Sequence, residues 1–423
     1  MNKKNVLFIE PFLPYPLVSG GHQAVYNGIA AVVDEVNAIV TYKCGSVDEE
    51  NIKGFVDSLN GKVRVMPYCE PQVAKEEKIP LIQRVYHNSK EWIKHKLIKQ
   101  EEKPKIPVLN YEYKSWINEF MPIPVEYEDF VNRIVADYNV DIVQCEMVRN
   151  APFVLSLPKY VKKIFVHHEL RYVTKEQCLG ITSGNEIDKK AYLELTKLLE
   201  IGMLNRFDEV VTLSDVDKDK LLSEGVKVPI EVSYPTVKTN IRGVNNCMDF
   251  ANKLCFIGTY NHYPNENGLF WFLDNCWEEI NANNEYVLNI IGTWSAELIA
   301  EITQKYKRVR FLGFVDDLSE AMKDSIMIVP ILIGSGIRMK IIEAVSCGVP
   351  VVTTSIGVEG IPFCSNEHCV IADNAKDFVN AIISMNDYVF REKLTRKAFD
   401  VVQKMFSFEN MKKSRIKIYK YLY

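Results

Sequence analysis

A glycine turn followed by an apolar helix, at residues 334–354, carries the residue types best suited to chemistry in this sequence: GSGIRMKIIEAVSCGVPVVTT. Gly334 and Gly336 can adopt positive φ angles, which lets an anion approach the backbone N–H groups closely. Arg338 and Lys340 add two positive charges in the first turn of the predicted helix. Because a guanidinium matches phosphate oxygens as a planar fork and an ammonium acts as a point charge, this turn is predicted to bind phosphate.

Glu343 follows one helical turn later, between Ile342 and Ala344, in a helix that is apolar on most faces. A buried carboxylate is costly unless it is hydrogen-bonded, and two neighbouring hydroxyl groups of a sugar would satisfy it. Phosphates at the turn and a ribose at the glutamate together predict a nucleotide site. A second interpretation is an ion pair between Lys340 and Glu343, which lie three residues apart on one helix face.

Two other nucleotide-binding motifs do not fit the chain. A dinucleotide-binding G-x-G-x-x-G motif would need glycine at position 339, where the chain has Met339. The phosphate-loop motif G-x-x-x-x-G-K-[ST] does not occur in the sequence. A dinucleotide oxidoreductase and a phosphate-loop enzyme are therefore disfavoured.

The elements that must position the site are short β-branched runs that alternate with helix-length segments. In the first half, the pattern predicts strands at 5–10, 37–42, 63–68, 141–146, 163–168 and 209–214. In the second half, it predicts strands at 253–259, 286–293, 309–315, 325–332, 350–355 and 368–372. Strands that are apolar on both faces and separated by helices form parallel sheets covered on both sides. The sequence therefore predicts an α/β fold with two doubly wound, Rossmann-like domains.

The predicted boundary between the domains lies near residue 245, within the polar and weakly periodic segment 237–253. A chain of 423 residues is too long for one hydrophobic core and fits two domains of about 200 residues each. The segment at about 73–124 departs from the alternating pattern and is predicted to be an insertion in the first domain.

Within this insertion, residues 84–105 carry 7 basic and 3 acidic side chains around an apolar stripe with roughly helical spacing. One interpretation is that this segment makes a peripheral contact with the anionic inner face of a membrane or binds an acceptor. The other is a stripe that packs on its own domain and leaves the basic face to solvent.

Composition describes an ordinary folded protein, with 47% apolar residues, 25% charged residues and a formal net charge of −4. This charge argues against a nucleic-acid partner.

The ten cysteines lack metal-binding spacing, which predicts reduced thiols in a cytoplasmic protein. Glu10 and three prolines interrupt the first apolar run, which indicates a buried strand and not a signal peptide. No apolar stretch approaches the roughly 18 residues of a membrane span.

Five segments resemble family 4 of the retaining glycosyltransferases (glycosyl transferases group 1), which have the GT-B fold. The most specific is the donor-site signature GSGIRMKIIEAVSCGVPVVTTSIGVEGI, and it is preceded by VRFLGFVDDLSEAMKDSIMIVPILIGSG, which is similar to the base-binding segment. FIGTYNHYPNENGLFWF resembles the first strand, turn and helix of the family's C-terminal domain. FDEVVTLSDVDKDKL and FSFEN resemble the last strand-helix unit of the N-terminal domain and the start of the terminal helices. The likeness covers most of the chain and is weakest over 45–135.

The resemblance implies two Rossmann-like domains that face each other across a cleft. Residues 1–245 would form the acceptor-binding domain, residues 246–405 the donor-binding domain, and residues 406–423 a helix that returns to the N-terminal domain. The donor would be a nucleoside diphosphate sugar, which is a co-substrate, so no cofactor is expected. The acceptor would be a glycan, a lipid-linked molecule or another hydroxyl compound.

The resemblance also assigns donor-binding residues. Arg338 and Lys340 would hold the diphosphate and Glu343 the ribose, while the backbone around two residues would meet the base: Phe314 and Val315. The remaining donor-binding positions are glycines and one serine in strand-to-helix turns: Gly20, Gly21, Gly258, Gly334, Ser335 and Gly336. Paired glycines after the first strand independently suit a close backbone approach, although a plain strand-to-helix turn would also use them.

The sequence departs from the family pattern at one position of the donor motif. The family often has Glu-x7-Glu, whereas this chain has Ser335 at the first position and retains Glu343. In the family the first glutamate faces the transferred sugar, so the serine bears on donor choice and on activity itself. Glu359, after the next predicted strand, is a further donor-contact candidate.

The histidine pair of the segment FVHHEL ends a predicted buried strand at the edge where ligands bind. The family has a histidine at the matching strand end, near the reacting carbon of the sugar. His167 is therefore the first candidate for a catalytic residue and His168 the second, because the register is ambiguous by one residue. Glu146 closes the preceding predicted strand and is an acceptor-contact candidate, with a solvent-exposed carboxylate as the equal alternative.

The resulting prediction is a metal-independent transfer of a sugar to a hydroxyl acceptor with retention of anomeric configuration. Arg338 and Lys340 would stabilise the charge that develops on the leaving diphosphate, as a metal ion otherwise does. The acidic run 215–219 is predicted to cap a helix and not to bind metal. Two alternatives remain: a nucleotide-sugar epimerase, and a catalytically silent GT-B partner subunit that binds nucleotide sugar, which Ser335 would favour.

Overall fold

The computed structural model describes residues 3–70, 120, 123–181, 184–237, 252–260, 262–283 and 285–421. Segment 84–105, almost all of the predicted insertion and the predicted boundary at residue 245 lie outside these residues. Within the described ranges, no helix is both long enough and apolar enough to cross a membrane.

The N-terminal domain contains a parallel sheet with strand order β3-β2-β1-β5-β6-β7-β8, and β4 pairs with β2. Its strands are β1 (Lys4–Glu10), β2 (Val36–Cys44), β3 (Val63–Val65), β4 (Tyr68–Cys69), β5 (Ile142–Glu146), β6 (Lys162–His167), β7 (Glu209–Thr212) and β8 (Ile230–Val232). Its helices are α1 (Gly20–Ala30), α2 (Glu49–Ser58), α3 (Val125–Asp137), α4 (Arg171–Ile181), α5 (Glu186–Leu204) and α6 (Asp215–Ser223), with a 3-10 segment at Val148–Leu155.

The C-terminal domain contains a second parallel sheet with strand order β11-β10-β9-β12-β13-β14. Its strands are β9 (Lys253–Ile257), β10 (Val287–Ile291), β11 (Val309–Gly313), β12 (Ser325–Val329), β13 (Val351–Thr353) and β14 (Val370–Ile371). Its helices are α7 (Tyr263–Asn275), α8 (Trp277–Asn283), α9 (Ala296–Lys305), α10 (Leu318–Ala321), α11 (Met339–Ser346), α12 (Ser355–Val358), α13 (Ala375–Ser384) and α14 (Tyr388–Met405). A last helix, α15, spans Phe408–Tyr421.

Both sheets are buried on both faces, as the continuous apolar runs predict. In β1, Leu7 packs into one core of the N-terminal domain, and Phe8 packs into the core on the opposite face. In β9, Phe256 and Cys255 divide between two cores in the same way. The prediction of two doubly wound α/β domains is therefore confirmed.

Two details of the first sheet differ from the predicted strands. The predicted strand 63–68 is divided into β3 and β4, because Pro67 has no N–H group to donate to a ladder. Strand β8 was not predicted, because its three residues lie between Pro229 and Ser233 and are too short for a recognisable pattern.

The final helix α15 packs on the N-terminal domain, although α14 before it packs in the C-terminal core. Ile418 and Tyr419 enter the core beside β1, and Ser414 lies 2.8 Å from Ser233 between their hydroxyl oxygens. The chain therefore crosses from the second domain back to the first at its end.

The connections of each sheet reverse direction beside its central strand, since β1 lies between β2 and β5, and β9 lies between β10 and β12. In parallel α/β sheets, ligands bind at the carboxyl ends of the strands at this reversal. A ligand-binding site is therefore expected at the turns that follow β1 and β12.

Candidate functional site

The turn after β12 has the backbone geometry that its glycines predict. Gly334 has φ of 134° and Gly336 has φ of 76°, which is the left-handed region that favours glycine. Ser335 between them is buried. Arg338 is the residue immediately before the first turn of α11, so the turn delivers its side chain and that of Lys340 to one place.

Arg338 is held by the turn itself. Its Nη1 donates to the carbonyl oxygens of Ser335 and Gly336, the latter at 2.6 Å. Its Nη2 is buried and has no hydrogen-bond partner in the part of the chain that the structure describes. Burial lowers the pKa of Arg338, and the negative charge of Glu169 opposes this effect. The guanidinium thus keeps a donor unused in a buried position.

Lys340 is half-buried, and its ammonium group has neutral hydrogen-bond partners. Its Nζ donates to the carbonyl oxygen of Ile257 and to Oδ1 of Asn265, the latter at 2.8 Å. Burial, with a smaller contribution from the charge of Arg338, lowers the pKa of Lys340 to about 7, while Glu343 opposes the shift. The nitrogen also lies 5.1 Å from the ring centre of Phe256. A large part of the charge of this lysine is therefore uncompensated.

Glu343 bonds across the domain boundary and not to Lys340. Its Oε1 accepts a hydrogen bond from Nε2 of Gln23 in α1, at 2.7 Å. Burial raises the pKa of Glu343, and the hydrogen bond from Gln23 opposes the rise. The alternative interpretation of a direct Lys340–Glu343 ion pair thus does not describe the hydrogen bonds that these side chains form.

The two domains meet directly at the turn. Oγ of Ser335 donates to the carbonyl oxygen of Leu170 at 2.9 Å, and the N–H of Gly334 donates to Oε1 of Gln177 at 2.6 Å. A Cβ atom at position 336 would overlap the carbonyl oxygen of His168. The serine that departs from the family pattern therefore faces the N-terminal domain.

The other predicted donor residues surround this contact. A Cβ at Gly20 would lie 3.0 Å from Cβ of Met339, so this glycine permits the approach of α1 to α11. A Cβ at Gly21 would face Met147 at 3.7 Å, in the N-terminal domain. Glu359 forms an ion pair with Lys220 of the N-terminal domain at 2.7 Å.

Three further predicted positions lie at the carboxyl ends of β9 and β11. A Cβ at Gly258 would come within 2.8 Å of Cγ of Asn265, so glycine here lets Asn265 reach Lys340. Phe314 is 60% exposed and Val315 is half-buried, which leaves an aromatic face accessible beside the site.

The two histidines point to different environments. Nε2 of His167 lies 2.8 Å from Oε1 of Glu200, and Glu200 also accepts from the N–H groups of Arg171 and Tyr172. The side chain of His167 is 1% exposed. These contacts give His167 a structural role in fixing the start of α4, although it was the first catalytic candidate.

His168 follows the end of β6 and turns toward Glu146. Its Nε2 lies 2.7 Å from Oε2 of Glu146, and its side chain is 11% exposed. Glu146 is buried, which excludes the alternative interpretation of a solvent-exposed carboxylate. The structure thus joins the second catalytic candidate to the predicted acceptor residue.

Sequence reasoning missed the partners that hold these side chains: Gln23, Asn265, Gln177 and Glu200. Asn265 lies inside the segment that resembles the family's first strand, turn and helix, but nothing singled it out there. All four residues come from elements distant in sequence from the groups they contact. The acidic run 215–219 begins α6, where Ser214 accepts from the N–H of Asp217. The run therefore lies at a helix start, as predicted, but the capping residue is Ser214, which precedes the run.

One group of described side chains has the geometry to hold a metal ion. Ligand atoms of Cys364, Glu367 and His368 lie within 4.8 Å of one another. Glu367 already pairs with Lys397 at 2.6 Å, and Nδ1 of His368 accepts from the N–H of Cys364. These existing partners would compete with a metal.

Comparisons with known proteins identify a matching family model and a related sequence. Residues 251–387 match the family model described as Glycosyl transferases group 1. A Klebsiella pneumoniae protein, named as an uncharacterized 44.6 kDa protein in cps region, is 26% identical over 306 residues, which cover 67% of this chain and 75% of that protein.

Solved structures match along nearly the whole chain. Sucrose-phosphate synthase from Thermosynechococcus elongatus has a TM-score of 0.69 at 13% identity, covering 99% of both chains. HepE from Anabaena, solved in complex with UDP, has a TM-score of 0.64 at 12% identity, covering 99% of this chain and 100% of that one. The predicted GT-B fold is confirmed, and the family match with this fold supports a GT-B glycosyltransferase.

Proposed function

We propose that this protein is a retaining, metal-independent glycosyltransferase that moves a sugar from a nucleoside diphosphate sugar to a hydroxyl acceptor. The observation that carries the proposal is the pair Arg338 and Lys340. Both side chains are half-buried, neither forms an ion pair with a described carboxylate, and the buried Nη2 of Arg338 has no hydrogen-bond partner in the described chain. Buried cations with only neutral partners are costly, so a bound anion would supply the missing charge. A diphosphate at the turn after β12 fits this requirement.

The nucleotide part of the donor is proposed from neighbouring side chains. Glu343 would accept hydrogen bonds from the ribose hydroxyls in place of the one from Gln23. The exposed Phe314 and the backbone at Val315 would contact the base, and the Gly20–Gly21 turn would approach the diphosphate. HepE, which shares the fold, has been solved with UDP, with UDP and glucose, and with UDP-glucose, which supports a nucleotide-sugar donor.

In the proposed reaction, the bond between the anomeric carbon and the β-phosphate oxygen breaks, and its electron pair stays with the nucleoside diphosphate. Arg338 and Lys340 would stabilise this developing charge, as preorganised donors do in other enzymes. Their two positive charges are the basis for proposing a reaction without a metal.

The biological setting is proposed from the Klebsiella relative, whose name places it in a cps region. This supports a role in cell-envelope polysaccharide or glycoconjugate synthesis. The acceptor would then be a glycan or a lipid-linked sugar, which the N-terminal edge of the cleft would contact. Glu146, the predicted acceptor residue, is buried, and its two oxygens already bond to Gln144 and His168.

A second candidate is a silent GT-B partner subunit that binds nucleotide sugar without turnover. The observation in its favour is Ser335, whose hydroxyl bonds to Leu170 and so contacts the opposite domain.

A panel of UDP-, GDP- and dTDP-sugars tests the proposal. At least one donor is expected to raise the melting temperature and to be turned over, with water or an added glycan as acceptor. NMR of the product is expected to show the same anomeric configuration as the donor. Binding of a nucleotide sugar without any measurable product would favour the silent partner, an inverted product would refute retention, and the absence of any nucleotide binding would overturn the proposal.

Gly336→Ala tests the direct contact between the domains. The new methyl group would overlap the carbonyl oxygen of His168, so we expect kcat/KM for the donor to fall about 10²-fold. The matched control is Gly61→Ala, because Gly61 has φ of 72° and no described atom within 4 Å of a Cβ. Left-handed strain should cost each variant about 1–2 kcal/mol of unfolding free energy, measured by denaturant titration, and the overlap with His168 should cost Gly336→Ala more. Equal kcat/KM values in the two variants would show that the contact has no role in activity.

A further inference from the structure

Two cysteines of the N-terminal domain face each other across neighbouring strands. Cys44 is the last residue of β2 and Cys69 is the last residue of β4, and the two are register partners in this parallel pair. Their sulfur atoms lie 2.8 Å apart, and both residues are free thiols. The fold therefore brings together two thiols that no motif in the sequence links.

The backbone at these two cysteines has the spacing that a disulfide needs. Neighbouring strands of a sheet lie about 4.8 Å apart. The Cα atoms of disulfide-bonded cysteines are usually about 4.4–6.8 Å apart, so the strand spacing falls in this range. Because the two sulfur atoms are already in contact, a bond between Cys44 and Cys69 requires no rearrangement of β2 or β4.

The surroundings of the two sulfur atoms assign them different roles. Both cysteines are half-buried, so a small oxidant can reach them from solvent. Sγ of Cys44 lies 3.6 Å from the carbonyl oxygen of Tyr68, to which its S–H group donates. Burial, with a smaller contribution from Cys69, raises the pKa of Cys44 to about 12, so this thiol keeps its proton at neutral pH. Since the thiolate is the attacking form of cysteine, Cys69 is the sulfur that reacts first.

Strand β4 is weakly attached while the two thiols are reduced. It has only two residues, and among the described strands it pairs with β2. An ion pair between Lys43 and Glu70 flanks the thiols, with side chains that are 41% and 54% exposed. Ion pairs exposed to this degree contribute little to stability. A covalent bond at the end of this short ladder would therefore change how firmly β4 is held.

We propose that Cys44 and Cys69 form a redox modification site, at which a low-molecular-weight disulfide such as oxidised glutathione creates a reversible disulfide that locks β4 to β2. The sulfur of Cys69 attacks oxidised glutathione and displaces one glutathione. The sulfur of Cys44 then attacks this mixed disulfide and displaces the second glutathione. Each cysteine proton passes to a departing glutathione, so two protein thiols are oxidised and one glutathione disulfide is reduced to two thiols.

Peptide mapping of the full-length protein tests the site. The protein is equilibrated with an excess of oxidised glutathione, quenched with acid, alkylated and digested without reduction. We expect a linked peptide that contains Cys44 and Cys69, with no glutathione on either residue. Amide hydrogen exchange in the peptide that contains β4 should slow at least about tenfold in the oxidised protein. An excess of reduced glutathione should restore both thiols and the faster exchange.

Cys44→Ser tests the order of the two steps. This variant lacks the sulfur that displaces the second glutathione, so Cys69 should retain one glutathione and β4 should gain no protection from exchange. In Cys69→Ser, the remaining Cys44 should take up glutathione more slowly, because its thiol stays protonated. The matched control is Cys364→Ser, which removes an exposed cysteine of the C-terminal domain and should form the linked peptide as the wild-type protein does.

Three results would contradict the inference. If Cys44 and Cys69 of the wild-type protein both stay free, or if each keeps its own glutathione, the two do not form a disulfide site. A linked peptide without slower exchange in β4 would overturn the locking role. A disulfide that reduced glutathione does not open would be a permanent crosslink and not a reversible modification. None of these results bears on glycosyl transfer, which the panel of nucleotide sugars tests separately.

Discussion

Arg338→Ala is expected to lower kcat/KM for the sugar donor by about 10³-fold or more. The side chain has two tasks, because Nη1 holds the carbonyl groups of Ser335 and Gly336 while Nη2 is buried without a partner in the described chain. Removing one preorganised donor to a developing oxyanion typically costs about 10²–10³-fold in rate. Here the turn also loses the two hydrogen bonds from Nη1 to its carbonyl oxygens. Steady-state kinetics with the best donor of the panel would measure the loss.

Arg338→Lys distinguishes the contribution of the positive charge from that of the planar guanidinium group. A lysine keeps the positive charge but cannot span two carbonyl oxygens and a phosphate at once, so we expect it to recover only part of the activity. Arg396→Ala is the matched control, since Arg396 is exposed on α14 and pairs with Glu392 of the same helix. Activity of Arg338→Ala close to that of Arg396→Ala would contradict a role for Arg338 at the diphosphate.

The fold could be predicted from the sequence because its signals are local. Strands buried on both faces give continuous apolar runs such as the one in β1, and a glycine turn after a strand marks a carboxyl edge. The errors have local causes as well. Pro67 ends pairing within one predicted strand, and β8 has only three residues.

The site could be predicted only where its residues share one element. Arg338, Lys340 and Glu343 come together because one turn and one helix carry all three. Their partners Gln23 and Asn265 come from elements 320 and 75 residues away, and no pattern in the sequence links them to α11. Long-range packing alone brings such pairs together.

The roles of the two histidines, His167 and His168, also depend on contacts with residues distant in sequence. Successive residues of a strand point to opposite faces of the sheet. If the register of the strand is uncertain by one residue, the sequence does not show which of the two histidines points into the core and which points to the cleft. The sequence favoured His167, whereas the contact with Glu200 buries it and the contact with Glu146 leaves His168 at the edge. The acidic partners decide the roles, and both lie far from the pair in sequence.

Donor affinity is expected to fall as the pH rises above about 7, because Lys340 has a pKa of about 7 in the free protein. Below this value the lysine is charged and the diphosphate meets two cations. Above it the lysine is mostly neutral, and binding must draw a proton from solvent because the bound diphosphate favours the charged form. Linkage then predicts a loss of up to about tenfold in affinity per pH unit, until the pKa of the complex is reached.

Calorimetric titration with UDP-glucose, whose diphosphate stays fully ionised across this range, would measure the effect. In buffers of different ionisation enthalpy, we expect uptake of nearly one proton at about pH 8 and almost none at about pH 6. Lys340→Arg is the matched variant, because a guanidinium remains charged throughout and its affinity should be independent of pH. Lys340→Met should bind weakly at every pH. If the wild-type protein binds without proton uptake at about pH 8, or if Lys340→Arg keeps the wild-type pH dependence, then the ammonium of Lys340 does not meet the diphosphate, and the buried charge on α11 needs another ligand.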